Sequence, residues 1–97
     1  MGTGAGADEY LAKLIDFLGS QDLTEGVDPA AVVSGARRDD LGISSLNIIM
    51  LVMAYLKKNG APGLKFSPKW VPRLEDVDGI VSVLREIDES RLAAAAN

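Results

Sequence analysis

The chain of 97 residues is predicted to be all-α. The expected architecture is a small four-helix bundle of three longer helices and one short one, with a long loop between helices 1 and 2. Three observations predict it. Apolar residues recur at helical spacing in two stretches, one near each end of the chain. Between them, Leu46 to Leu56 carries no charge and is bounded by helix start and stop signals. A Ser67-Pro68 pair then opens a further, short helix.

The first helix opens at Asp8 and Glu9, where acids suit the positive end of the helix dipole. Leu11, Leu14, Ile15 and Leu18 form one apolar stripe, and Gly19-Ser20 closes it. Residues 19–40 are a long connection. Asp28-Pro29 starts a short turn there that packs Ala30 to Val33 on the core, and Ser34-Gly35 ends it. Arg37 and Arg38, followed by Asp39 and Asp40, read as a solvated charge cluster or as a docking contact.

The second helix is expected from about Ser45 to Asn59, stopped by Asn59-Gly60 and Pro62. At 100° per residue, Ile48, Leu51, Val52 and Tyr55 share its core face. Met50, Met53, Ala54 and Lys57 lie opposite, with Ile49 and Leu56 at the border. An outer face this apolar suggests a partner, because a domain this small cannot easily bury one helix all round. Ile49, Met50, Met53 and Leu56 are therefore expected to form a partner-facing strip, which methionine suits by its flexibility and polarizability.

Pro72 should limit the Ser67-Pro68 helix to about one turn, with Trp70 as a core plug or, alternatively, a wall for a bound group. The last helix starts near Leu74-Glu75-Asp76 and presents Val77, Ile80, Val81, Leu84 and Ile87. Gly79 inside it implies a close contact. Residues 1–7 are expected to be a flexible tail, 8–92 the helical domain, and 93–97 a frayed end.

Composition excludes several functions. Cysteine and histidine are absent, which removes disulfides, thiolate metal sites, a catalytic Cys and a His base. The net charge of −4 argues against nucleic acid as a partner. The N-terminus lacks the basic start and apolar core of a signal peptide, and no apolar run has membrane-spanning length, so a cytoplasmic, membrane-free monomer is expected. No catalytic residue, metal site or enzymatic activity is predicted.

The centre of the chain is Asp39-Asp40-Leu41-Gly42-Ile43-Ser44-Ser45-Leu46. A serine there sits at or next to the start of the second helix, beside unpaired amides that suit a phosphate. Capping alone would also explain it. This stretch, with the apolar helix that follows, resembles the phosphopantetheine attachment region of acyl carrier proteins. The family pattern is an acid, Leu-Gly, two residues, then Ser-Leu and an apolar helix. The likeness spans roughly residues 8–90, and the family's fold has a long first loop like this one.

The resemblance implies that Ser45, directly before Leu46, carries covalent 4'-phosphopantetheine placed by a phosphopantetheinyl transferase. It implies thioester-bound acyl groups shown to acyl-transfer and synthase enzymes of the pathway. It also implies a docking surface of Asp40, Ser44, Leu46, Asn47, Ile49, Met50, Met53 and Leu56. Many family members, those of fatty acid biosynthesis above all, have Asp before the serine and acids along this helix. Ser44, Asn47, Met50 and Leu56 stand there instead. That departure points to a dedicated pathway, of polyketide or other specialised type. The alternative is a cofactor-free helical interaction module with the same fold.

Overall fold

The computed structural model describes residues 5–60 and 63–96. It is all-α: α1 (Ala5–Ser20), α2 (Ser45–Asn59), an eight-residue 3-10 helix (Pro68–Glu75) and α3 (Val77–Ala96). α1 begins three residues before the expected Asp8, so residues 5–7 belong to it rather than to a tail. α3 likewise runs on to Ala96, because alanine is the strongest helix former. Residues 1–4 of the expected N-terminal tail, Pro62 of the expected stop to α2, and Asn97 lie outside the described residues.

α1 buries Leu14, Phe17 and Leu18, with Leu11 and Ile15 packed at the edge. Its last carbonyls are closed by hydroxyls. Ser20 Oγ donates to the Phe17 carbonyl at 2.8 Å and the buried Thr24 Oγ1 to that of Leu18 at 2.7 Å. In the connection that follows, Asp28 caps a 3-10 turn (Pro29–Ala31), its carboxylate accepting from Ala30 N at 3.0 Å. Val32 plugs the core just after it, while Val33 points outward. A second 3-10 turn, Asp39–Leu41, was not anticipated.

The 3-10 helix after Ser67 does not stop at Pro72. Proline clashes with the carbonyl four residues back in an α-helix, whereas 3-10 winding accepts its fixed φ and forgoes one hydrogen bond. Trp70 is buried edge-on against Phe66, ring centroids 5.4 Å apart, as the expected core plug. The ridge of the fold is α3, which packs on α1, α2 and the 3-10 helix. Val77, Ile80, Leu84 and Ile87 are buried as expected, but Val83 is buried too and Val81 only half so. An apolar stripe fitted to one neighbour underestimates a helix that is covered from several sides.

Gly79 makes the expected close contact. A Cβ there would stand 1.7 Å from the Arg73 carbonyl oxygen. Across the same junction an isolated antiparallel bridge, Arg37 with Asp76, ties the long connection to the start of α3. Arg38 N donates to the Glu75 carbonyl and Val77 N to that of Ala36, both at 2.9 Å.

Candidate functional site

The strand-like approach to α2 alternates in and out. Gly42 takes φ 76°, ψ 17° and closes the Asp39–Leu41 turn, its N–H donating to the Asp39 carbonyl at 3.0 Å. Ile43 is buried and anchors the chain. Ser44 is extended and is the cap: its Oγ accepts from Asn47 N at 3.1 Å. Ser45 is the first residue of α2 and is exposed. Among the described residues its hydroxyl has no hydrogen-bond partner. The amides of Ser45 and Leu46 stand in the first turn, where no intrahelical bond can reach them.

Two adjacent serines thus have separate tasks, one closing the helix and one left free. Replacing Ser44 with Ala should cost about 1 kcal/mol of stability. Replacing Ser45 with Ala should change it by less than about 0.5 kcal/mol. Urea unfolding of the two variants checks this, and an equal loss at both positions would overturn the assignment of the cap.

Arg38 corrects the expected solvated cluster. It is mostly buried: Nε donates to the Leu74 carbonyl at 3.1 Å and an Nη to that of Ile43 at 2.7 Å, with Asp39 3.2 Å away. It locks the residue before the serines to the 3-10 helix. Arg37 is exposed and 3.7 Å from Glu75. Arg38, Ser45, Ile49, Val71, Leu74 and Glu75 line one small cleft of about 60 Å³. Ser45 thus shares that cleft with apolar side chains and with one basic and one acidic residue. Asp39 and Asp40 are exposed in the turn just before it.

On α2, Ile48, Leu51, Val52 and Tyr55 are buried as expected. Leu46, Met50 and Met53 are 66%, 46% and 51% exposed, Ile49 and Asn47 are half-buried, and Ser44 is exposed. Leu56 departs from the expected exposed strip, being only 8% exposed. Gly60 is extended and lies against it: a Cβ there would meet Leu56 O and Cδ1 within 2.7 Å and Ile87 Cγ2 at 3.5 Å. Gly60 thus stands over the Leu56 side chain.

One polar cluster lies outside this site and was not anticipated. Asp88, 5% exposed, accepts from Tyr10 Oη at 2.8 Å, Tyr55 Oη at 3.0 Å and Lys13 Nζ at 3.3 Å. Burial, then the hydrogen bond to Asp88, pushes the Tyr10 hydroxyl up to about 12 and raises that of Tyr55 further. Its signal was present in the sequence. Asp88 lies four residues after Leu84, in core register, and a charge there requires buried partners.

No protein-family model matches the chain, and neither a curated protein nor a solved structure matches it significantly. Among the described residues no helix is long and apolar enough to cross a membrane.

Proposed function

We propose that this chain is a carrier of the acyl carrier protein type, bearing 4'-phosphopantetheine on Ser45. One observation carries the reading: the exposed Ser45 hydroxyl is free because Ser44 performs the capping. Ser45 Oγ is the nucleophile when a transferase acts on coenzyme A. It gives up its proton, bonds to the phosphorus on the pantetheine side of the pyrophosphate, and expels adenosine 3',5'-bisphosphate. The base for that proton must come from the transferase, since the chain has no histidine. The resulting phosphodiester is favoured by the first-turn amides and the helix dipole. The arm, when attached, holds acyl groups as thioesters at its terminal thiol.

The chain's own part is then to present a group, with Leu46, Asn47, Ile49, Met50 and Met53 offered to enzymes of a polyketide-type or other specialised pathway. Contacts of that kind are small and transient.

The test is intact-protein mass spectrometry after incubation with coenzyme A, magnesium and a broad-specificity phosphopantetheinyl transferase. The parent protein and Ser44→Ala should gain one phosphopantetheine, and Ser45→Ala none. Loading of Ser45→Ala would remove Ser45 as the site. A folded parent protein that gains nothing with several transferases would support the second reading, a cofactor-free interaction module. That reading is favoured by the exposure of Leu46, Met50 and Met53 alone.

A further inference from the structure

The middle of the chain has a charge unlike the rest. From Leu41 to Leu74 it carries five bases and no acid, although the whole chain is at −4. Two of those bases, Lys57 and Lys65, border an open groove of about 510 Å³ whose apolar lining is Met53, Leu56, Leu64 and Phe66. Both lysines are exposed, and among the described residues neither is in an ion pair. Leu56, covered beside Gly60, forms part of the groove's lining. Lys58 is turned elsewhere, lining a hollow with Lys13 and Phe17.

The groove continues the exposed residues of α2. Leu46, Met50 and Met53 follow at spacings of four and three, so they share one side of the helix and lead into it. From Leu46 to Lys57 this surface is about 16 Å long, roughly three helical turns. Its charge differs at the two ends: the Ser45 end has the mixed cluster of Arg37, Arg38, Asp39 and Asp40, in which Asp39 is already 3.2 Å from Arg38, and Lys57 and Lys65 stand at the other.

We infer that this surface receives an acidic amphipathic helix of a partner protein. The partner's apolar side chains fill the groove beside Met53 and Phe66, and its carboxylates meet Lys57 and Lys65. The concave, elongated apolar floor suits a helix laid lengthwise. A flat anionic membrane fits less well, because the apolar lining is sunk in a groove rather than raised toward a plane. The lysines, unpaired among the described residues, select an acidic partner over a basic one. The inference rests on α2 as the docking helix of the proposed carrier, but needs no group on Ser45.

Trp70 makes the site self-reporting. It is the only tryptophan in the chain and stands edge-on to the groove residue Phe66. The probe is a tryptophan-free helical peptide of leucine and glutamate, with leucines at i, i+3, i+4 and i+7. A second peptide carries lysine in place of glutamate, and phosphatidylglycerol vesicles form a third arm. The parent protein and Ser45→Ala are titrated by Trp70 fluorescence.

The acidic peptide should bind both proteins equally and the lysine peptide neither. Lys57→Glu/Lys65→Glu should weaken the acidic peptide by about tenfold or more while leaving the unfolding midpoint near that of the parent. Binding that ignores the double substitution, equal binding of both peptides, or a response to vesicles alone would overturn the inference. Because Ser45→Ala is included, failure to dock and failure to load are read separately.

Discussion

Asp88→Ala is expected to destabilise the protein by about 3 kcal/mol, a large share of the stability of a domain this size. The cost is concentrated at Tyr55. Its hydroxyl lies 3.0 Å from both Asp88 oxygens, and the residue is 5% exposed, so water cannot replace the lost acceptor. Tyr10 is half-buried and Lys13 exposed, so both can turn to solvent. Tyr55→Phe removes the orphaned hydroxyl. The double variant should therefore lose less than the two single losses added together, by about 1 kcal/mol. Additive losses in urea unfolding would show that Asp88 acts by packing instead.

The same cluster makes stability sensitive to alkali. The Tyr10 hydroxyl is raised from 10.0 to about 12 in the folded protein, and that of Tyr55 is raised as well. A raised folded value means that the unfolded chain loses these protons first. The stabilisation is thus complete below pH 10 and is lost as pH rises through about 12. The unfolding midpoint should fall between pH 9 and pH 11, and should fall less in Tyr55→Phe. A parallel fall in the two proteins would assign the effect to other groups.

Gly79→Ala should also cost about 3 kcal/mol, although Ala for Gly inside a helix ordinarily gains up to about 1 kcal/mol. The added Cβ would lie 1.7 Å from Arg73 O and 2.8 Å from Arg73 C, both backbone atoms. No rotamer relieves that contact, so the 3-10 helix must move off α3. Arg73 would carry with it the hydrogen bond to Ser82 at 2.7 Å and the ion pair with Glu86. Gly19→Ala is the control: nothing lies within 4 Å of its added Cβ, and it should be neutral or stabilising. If the two variants unfold alike, the approach of Arg73 to Gly79 is not as close as described.

The extent of α2 was readable because each signal was local. One of two adjacent serines caps, the apolar run propagates, and Asn59-Gly60 stops it. Its core face was readable from the helical period alone. The position of Leu56 was not, because what covers it is Gly60, beyond the end of the helix, which no period encodes. Arg38 was misread for the same reason. Beside Arg37, Asp39 and Asp40 it looks like one more surface charge, yet its acceptors are carbonyls of Ile43 and of Leu74, the latter 36 positions away.

By itself the sequence determined the helical class, the start and end of α2, the caps at Asp28 and Ser67, and a serine at or next to the start of α2. Each of these depends on residues within about four positions of one another, the reach of helical hydrogen bonds and caps. Only the tertiary structure decided which of the two serines is free of capping, which α2 side chains meet solvent, and how Asp88 is satisfied by Tyr10, Lys13 and Tyr55. It also decided that Lys57 and Lys65 border one groove. These depend on which elements pack together, and that is set by burying apolar area across the whole chain, a non-directional force that leaves no local pattern to read.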